Sequence, residues 1–408
     1  VWRLLISHKR LLEWNHSGNQ DRNSHTDIIG TYRTMWIGPV IAFSSLIYLA
    51  FLQPTTLAFV WPILGVWFAS PIIAWWLSLP LIHHRARLTA DQTIFLRKLS
   101  RKTWAFFETF VGPEDHWLPP DNYQEQPVPV IAHRTSPTNM GLSLLATLSA
   151  YDFGYISAGQ LIERTTNTFQ TMEILEQYRG HFFNWYDTKS LKPLRPVYIS
   201  SVDSGNLAGH LLVLRAGLLS LPDQRILSLR LFESINDTLR ILEDATKGAA
   251  LARLVQFRNE MQFAINSQPV TLTAVQQCLD NLARSATDAA EGFVSEPESK
   301  TLWWARALAR QCRSALDELI FLAPWILLPA FKDRVNDFPG IDEIPTLREL
   351  AILDTKLIPA IGRWLSTDTT PEKNEWVDML RQSITEARNR ASDRIASVER
   401  LALQSGEL

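Results

Sequence analysis

Residues 34–82 read TMWIGPVIAFSSLIYLAFLQPTTLAFVWPILGVWFASPIIAWWLSLPLI and contain no Asp, Glu, Lys or Arg. Charged residues make up 20% of the whole chain, so an uncharged run of this length has a chance probability on the order of 10⁻⁵. A bilayer core needs about 20 apolar residues per helix. The stretch therefore predicts two transmembrane helices, 35–53 and 57–81, with a polar turn at 53–56. The alternative is a buried apolar helix pair in a soluble protein.

Basic residues flank the uncharged stretch on both sides, whereas the turn between the two predicted helices carries no charge. The flanking basic residues are Arg3, Lys9, Arg10, Arg22 and Arg33 before it and Arg85, Arg87, Arg97, Lys98, Arg101 and Lys102 after it. Because positively charged flanks stay on the cytoplasmic side, we expect both flanks in the cytoplasm and the turn outside.

The remainder of the chain shows helical periodicity broken by one long Pro-rich loop. We find no convincing alternating strands and no Gly-rich phosphate loop, so the pattern predicts an all-α chain of helix pairs, as in a bundle, a solenoid or an (α/α) toroid. The predicted segments are a cytoplasmic basic flank (1–33), two transmembrane helices (34–82), an amphipathic helix and Pro-rich linker (83–137), the first helix pairs (138–222), and a helical continuation or inserted helical subdomain (223–408).

The composition gives no sign of nucleic acid, a metal or another cofactor. Lys and Arg number 40 against 42 Asp and Glu, which leaves no bulk charge to attract a polyanion. Cys278 and Cys312 lie far apart in helical runs and are expected to be buried, reduced thiols. A metal site from His133, His181 and His210 would lack any diagnostic spacing. We expect no cofactor in this segment.

Three loops between predicted helices are rich in polar residues, and the second also carries four aromatic rings: HRTSPTN (133–139), RGHFFNWYDT (179–188) and SVDSGN (201–206). If alternate loops converge at one end of the helix pairs, their rings could stack on sugar faces and their polar groups could bind hydroxyls. The candidate substrate-binding residues are His133, Arg134, Ser136, Asn139, His181, Asn184, Trp185, Tyr186, Asp187, Asp203, Ser204 and Asn206.

Structural roles are the alternative for several of these candidates. The histidines could cap helices or bind buried carbonyls, and Asp187 and Asp203 could be Asx-turn or N-cap residues. Phe182 and Phe183, inside the second loop, are expected in the core rather than on a ligand.

Four motifs carry a resemblance to a known family. They are RLLEW (10–14), FFETFVGPEDHWLPPDNYQE (106–125), AHRTSPTNMGLSLLATLSAYDFGYIS (132–157) and YRGHFFNWYDTKSLKPLRPVYISSVDSGNLAGHL (178–211). Together they resemble the cyclic β-1,2-glucan synthases of Gram-negative bacteria. The resemblance is densest over 106–221 and weak after about residue 225.

The resemblance implies a large inner-membrane enzyme in three parts: a membrane-embedded glycosyltransferase, a glycoamylase-like (α/α)₆ domain and a glycoside phosphorylase. This chain matches the last membrane hairpin of the first part and the opening of the second. The expected fold is therefore all-α, a transmembrane hairpin followed by part of an (α/α)₆ toroid-like domain with extra helices. The implied partners are a β-1,2-glucan chain, the lipid bilayer and the upstream and downstream domains of the same polypeptide.

In that family the middle domain closes the glucan into a ring by retaining transglycosylation. Retaining chemistry generally uses two carboxylates about 5 Å apart. Glu108, Glu114 and Glu125 lie nearest the polar loops in sequence, but none has an evident partner carboxylate. The resemblance implies that the catalytic acids lie downstream, so the segment alone is expected to be inactive. The alternatives are a non-catalytic membrane-anchored helical scaffold and a self-contained glycoside hydrolase that uses Asp187 or Asp203 as its acid.

Overall fold

A computed structural model of the chain describes residues 28–78, 88–228, 230–246, 248–294, 299–365 and 370–408. The described residues form fifteen α-helices and six strands of two residues each, which confirms the all-α prediction. The chain divides into two compact units, residues 1–87 and 88–408. The basic flank 1–27 and residues 79–87 lie outside the described residues.

The first unit contains α1 (Ile28–Met35), α2 (Ile37–Leu52) and α3 (Pro54–Leu77). By length and composition α3 is apolar and long enough to cross a membrane. Helices α1 and α2 meet the same test only when they are taken together, and they are bent by 69°. Alone, the 16 residues of α2 span about 24 Å, short of the roughly 30 Å of a bilayer core.

The predicted polar turn at 53–56 is tighter in the structure. Only Gln53 leaves the helical conformation, and Pro54 starts α3. Proline suits this position because the first helical residue needs no N–H partner. The side chains of α3 are largely exposed, with Phe59 at 84% and Trp61 at 61%.

The second unit holds the remaining twelve helices that the structure describes. They are α4 (Ala90–Phe110), α5 (Pro137–Phe153), α6 (Ala158–Ile174), α7 (Ser201–Ser220), α8 (Leu231–Ala245), α9 (Val255–Ser267), α10 (Leu272–Gly292), α11 (Lys300–Leu322), α12 (Phe331–Arg334), α13 (Leu347–Ala351), α14 (Leu353–Leu365) and α15 (Pro371–Glu407).

Three antiparallel strand pairs connect the helices. Strands β1 (Tyr123–Gln124) and β2 (Val130–Ile131) pair within the Pro-rich loop, and β4 (Gln177–Tyr178) pairs with β5 (His181–Phe182) in a hairpin after α6. The third pair joins distant segments, β3 (Arg134–Thr135) and β6 (Tyr186–Asp187).

One hydrophobic core runs through the second unit. Helix α7 contributes Leu207, Leu211, Leu214 and Leu218 to it, at the spacing of three and four residues that keeps side chains on one helix face. The last helix, α15, packs against α6, α7 and α11. It is one helix of 37 residues. Although this helix is rich in charged residues, its apolar face lies in the core. Residues 138–222 and 223–408 therefore share a single core, and Cys278 and Cys312 lie in it as free thiols, as predicted.

Helix α4 begins at the predicted N-cap, Thr89, which forms a capping box with Gln92. Phe95 and Leu99, which lie near one face of this predicted amphipathic helix, are exposed at 64% and 50%. The buried side chains of α4 are instead Arg101 and Trp104.

Candidate functional site

A short strand pair brings the first two polar loops together. In the β3–β6 ladder Arg134 lies opposite Asp187, and Thr135 lies opposite Tyr186. The Thr188 N–H extends the contact by donating to the His133 carbonyl at 3.0 Å. Because backbone hydrogen bonds fix this pairing, the two loops form one rigid surface.

The third loop joins the first through side chains. The Thr138 hydroxyl donates to Asp203 Oδ1 at 2.6 Å, and Asn206 Nδ2 donates to Thr138 Oγ1 at 3.2 Å. Asp203 lies in the first turn of α7, whose N-cap is Ser200. The three polar segments therefore lie together, but the third, 201–206, is the start of helix α7 and not a loop as predicted. Asp203 is not the cap of that helix. We call residues 133–139, 179–188 and 201–206 the three-loop surface.

Asp115, a residue outside the predicted set, binds side chains of the first two loops from a buried position. Its carboxylate is buried and accepts hydrogen bonds from Thr188 Oγ1 at 2.6 Å, His133 Nδ1 at 2.8 Å and Lys189 Nζ at 3.3 Å. Burial acts to raise the pKa of the Asp115 carboxyl, but these hydrogen bonds outweigh it and the pKa lies below its ordinary value. Asp115 therefore serves as an ionised anchor.

Asp121, also outside the predicted set, binds the exposed edge of the first loop. Its Oδ2 forms an ion pair with Arg134 Nη2 at 3.0 Å, and its Oδ1 accepts from Asn139 Nδ2 at 3.4 Å. The Arg134 guanidinium in turn lies 5.1 Å from the centre of the Trp185 ring. A cation over an aromatic face orients the ring, so Asp121 and Arg134 together hold Trp185 in place.

Three of the predicted contact residues lie beneath the surface instead of on it. Tyr186 is fully buried, and its hydroxyl donates to the Glu176 carbonyl at 2.7 Å. Asn184 is buried and its Oδ1 accepts from the Tyr198 N–H. Ser136 is the buried N-cap of α5. These groups already bind backbone, and the core location of Phe182 is confirmed.

The carboxylate of Asp187 is occupied by its own turn. Its Oδ1 accepts from the N–H groups of Lys189 and Ser190 and from the Ser190 hydroxyl. The backbone hydrogen bond from Ser190 is the main reason that the pKa of the Asp187 carboxyl lies below its ordinary value. A general acid needs a raised pKa, so Asp187 is poorly suited to the hydrolase alternative and instead forms the predicted Asx-turn.

The second loop begins as a β-hairpin and not as a helix end. Helix α6 stops at Ile174, five residues before the second loop begins at Arg179. Arg179 and Gly180 both have positive φ, 52° and 79°, which is the requirement of a two-residue hairpin turn. His181 is exposed on this hairpin, and Ser204 lies half-buried in the first turn of α7.

Two of the three glutamates near the loops are paired with basic side chains. Glu108 forms ion pairs with Arg101 and Arg310, and Glu125 lies 4.0 Å from Lys300. Among the residues that the structure describes, no group of three or more His, Cys, Asp or Glu side chains could hold a metal ion. The sequence signal that could have found Asp115 and Asp121 is the motif FFETFVGPEDHWLPPDNYQE, which contains both.

Comparison with known proteins yields one curated relative. The chain is 33% identical over 354 aligned residues to the cyclic β-(1,2)-glucan synthase NdvB of Rhizobium meliloti (strain 1021). The alignment covers 79% of this chain and 12% of that protein, so the chain spans a small part of its relative's length. No family model matches the chain.

Proposed function

Since this chain is a relative of the cyclic β-(1,2)-glucan synthases, as its sequence motifs predicted, we propose that it is a segment of such a synthase. We propose further that its three-loop surface binds the β-1,2-glucan chain. The observation that carries the proposal is the convergence of the loops around Trp185. Arg134 holds the Trp185 ring, and the same surface carries amide and carboxylate groups that can bind sugar hydroxyls.

The exposed chemistry of the surface suits a neutral polysaccharide. Asn139, Asp203 and Asn206 offer both donors and acceptors beside a half-buried indole. Sugar sites combine an aromatic platform with a few fixed polar groups. Ion pairing of Arg134 with Asp121 leaves little uncompensated charge at the ring, so the surface would select hydroxyl-rich chains over ionic ones.

We assign the surface to the transglycosylase, or cyclising, part of the enzyme. Asp187 is committed to its turn and Asp203 to Thr138, so the surface supplies substrate contacts and the catalytic acids come from other parts of the polypeptide. On this proposal the segment alone is inactive. The glycosyltransferase and the remaining domains act on the same glucan.

The first unit anchors the protein in the bacterial inner membrane. The apolar helix α3 supports this assignment, and the basic residues on either side of 34–82 support cytoplasmic flanks. The lipid bilayer is then a partner of the first unit. Cysteines placed singly at 55 and 102 and labelled with an impermeant reagent in intact cells would test this orientation: we expect labelling at 55 alone.

Binding of linear β-1,2-glucan to the full chain in detergent micelles tests the glucan proposal directly. Trp185→Ala should weaken binding by up to roughly tenfold, because an aromatic contact contributes about 0.5–1.5 kcal/mol. Phe263→Ala is the matched control, since Phe263 is an exposed ring (66%) on α9, outside the loops. It should leave binding unchanged.

Two outcomes would count against the glucan surface. One is an intact chain that shows no affinity for linear β-1,2-glucan while its far-UV circular dichroism and melting curve are normal. The other is equal weakening by both ring substitutions. Either result would favour the membrane-anchored scaffold. Release of glucose from the glucan by the chain alone would instead revive the hydrolase alternative.

A further inference from the structure

A second cleft, of about 520 Å³, lies within the 88–408 unit and shares no lining residue with the three-loop surface. Helices α4, α6 and α11 form its walls, and Trp117 and Tyr155 complete them. Its lining includes four arginines and two glutamates, so guanidinium groups outnumber carboxylates by two. The arginines are Arg101, Arg164, Arg310 and Arg313, and the glutamates are Glu108 and Glu163.

One carboxylate in the cleft is shared by two arginines. Glu108 lies 3.0 Å from Arg101 Nη2 and 3.1 Å from Arg310 Nη2. Arg101 is only 2% exposed, and its Nη1 has no hydrogen-bond partner among the residues that the structure describes. A buried cation is costly unless it is paired and hydrogen-bonded. Because Arg101 shares the Glu108 carboxylate with Arg310, its positive charge is only partly neutralised.

The other two arginines form no direct ion pair with any carboxylate in the described part of the chain. Arg164 Nη2 donates to the carbonyls of Phe107 and Val111, each at 3.0 Å, and its buried Nε is unpaired. Its guanidinium lies between the Trp104 and Trp117 rings, 5.0 and 5.5 Å from their centres. Arg313 is exposed at the cleft, and among the described side chains it forms no ion pair or hydrogen bond.

A neutral sugar would leave this excess positive charge in place, whereas an oxyanion would compensate it. Guanidinium groups match phosphate oxygens in geometry and form charge-assisted hydrogen bonds with them. The cavity is large enough for a hexose-sized molecule.

We propose that this cleft, which we call the arginine cleft, is a binding site for a phosphate-bearing small molecule. Arg101 and Arg164 form the rigid floor of the site, and Arg310 and Arg313 approach the ligand from α11. The phosphate could be that of a sugar ester or free phosphate, and the shared chemistry is the oxyanion. The site does not depend on glucan binding by the three-loop surface.

Isothermal titration of the full chain in detergent micelles with glucose 6-phosphate, inorganic phosphate and glucose tests the proposal. We expect glucose 6-phosphate to bind and glucose not to bind at the same concentration. Tighter binding of the ester would assign the site to an esterified phosphate, and equal binding of inorganic phosphate would assign it to the free anion. Both results support an oxyanion site. No heat from either phosphate compound, or equal binding of glucose, would overturn it.

Substitutions that change the charge of the cleft should change its affinity for glucose 6-phosphate in opposite directions. Arg313→Glu should weaken binding of glucose 6-phosphate at least tenfold, about 1.4 kcal/mol, whereas Glu163→Gln should strengthen it because an unpaired carboxylate leaves the cleft. Arg306→Glu is the matched control, because Arg306 is exposed on the same helix and does not line the cleft. All three residues are exposed, so the variants should fold. Equal weakening by the variants at 306 and 313 would refute the assignment.

Discussion

Replacement of Asp115 should lower the free energy of unfolding, because this residue anchors the first two loops without lying on their exposed surface. Asp115→Ala removes the only hydrogen-bond acceptor that the structure gives the Thr188 hydroxyl, which is 0% exposed. An unsatisfied buried hydroxyl costs about 1–3 kcal/mol. His133 and Lys189 have side chains 37% and 45% exposed, so water can replace their lost bonds at a cost of about 0.5 kcal/mol each. The expected loss in free energy of unfolding is about 3 kcal/mol.

Two milder variants should grade the effect. Asp115→Asn keeps an oxygen for Thr188 and His133 but loses the charge and the contact with Lys189, so we expect a loss of about 1 kcal/mol. Lys189→Ala removes a half-exposed ion pair and a hydrogen bond to the Glu114 carbonyl, so we expect a loss of about 1 kcal/mol. Urea unfolding of the full chain in detergent, followed by circular dichroism, measures all three. Equal losses for the Ala and Asn variants would refute the reasoning, because the carboxylate oxygen would then not be needed.

The same series predicts a pH dependence with a definite sign. The pKa of the Asp115 carboxyl is lower in the folded chain than its ordinary value near 4. Its contribution to stability is therefore present above about pH 4 and is lost as the pH falls through the folded pKa. The difference in stability between the natural chain and Asp115→Asn should shrink in that acidic window. A difference that is constant from pH 7 to pH 3 would show that the charge is not responsible.

Two further substitutions test the packing around the loops. A Cβ at Gly141 would collide with the His210 ring, so Gly141→Ala should separate α5 from α7 and cost about 1–3 kcal/mol. Gly205→Ala, whose Cβ would meet nothing within 4 Å, should instead stabilise by about 0.5 kcal/mol, and equal melting temperatures would contradict both expectations. Tyr186→Phe should cost about 1–3 kcal/mol, because the Phe183 N–H loses its acceptor at 2.8 Å. Burial raises the pKa of Tyr186 to about 12. The stability that this phenol contributes is therefore complete below about pH 10 and is lost as the pH rises toward 12. If Tyr186→Phe loses the same stability at alkaline pH as the natural chain, Tyr186 is not the source of that loss.

The helices were predictable where capping and apolar periodicity agree. Ser157 starts α6 with a capping box, and α7 follows the run of leucines. The end of α6 was missed because residues 175–178 continue the helical pattern. The two-residue strands that follow are too short to show alternation, and only the pair of left-handed residues before His181 marks the hairpin.

The site was predictable as three loops but not as a network. Local composition identified the three polar segments that lie together, although the third is the start of helix α7 and not a loop. The partners of those loops were missed because Asp115 and Asp121 precede them in a Pro-rich segment that resembled a linker. Their role depends on contacts such as that between Asp115 and Thr188, 73 positions apart, which no local pattern encodes. Burial of Tyr186 and Asn184 depends on the same folding of distant segments.

The docking of α4 through polar groups limits how that helix can move. Arg97 Nε binds the Asp237 carboxylate at 2.9 Å, and Arg101 Nε donates to Thr238 Oγ1 at 2.9 Å. Apolar faces can slide past one another at little cost, but a shift of α4 by one turn, about 5.4 Å, would leave the Asp237 side chain, 1% exposed, without its counter-ion. Loss of one partner of a buried ion pair costs about 3–5 kcal/mol. Force applied along α4 is therefore transmitted to α8 instead of being dissipated by slippage, so the helix acts as a stiff mechanical link at the start of the second unit.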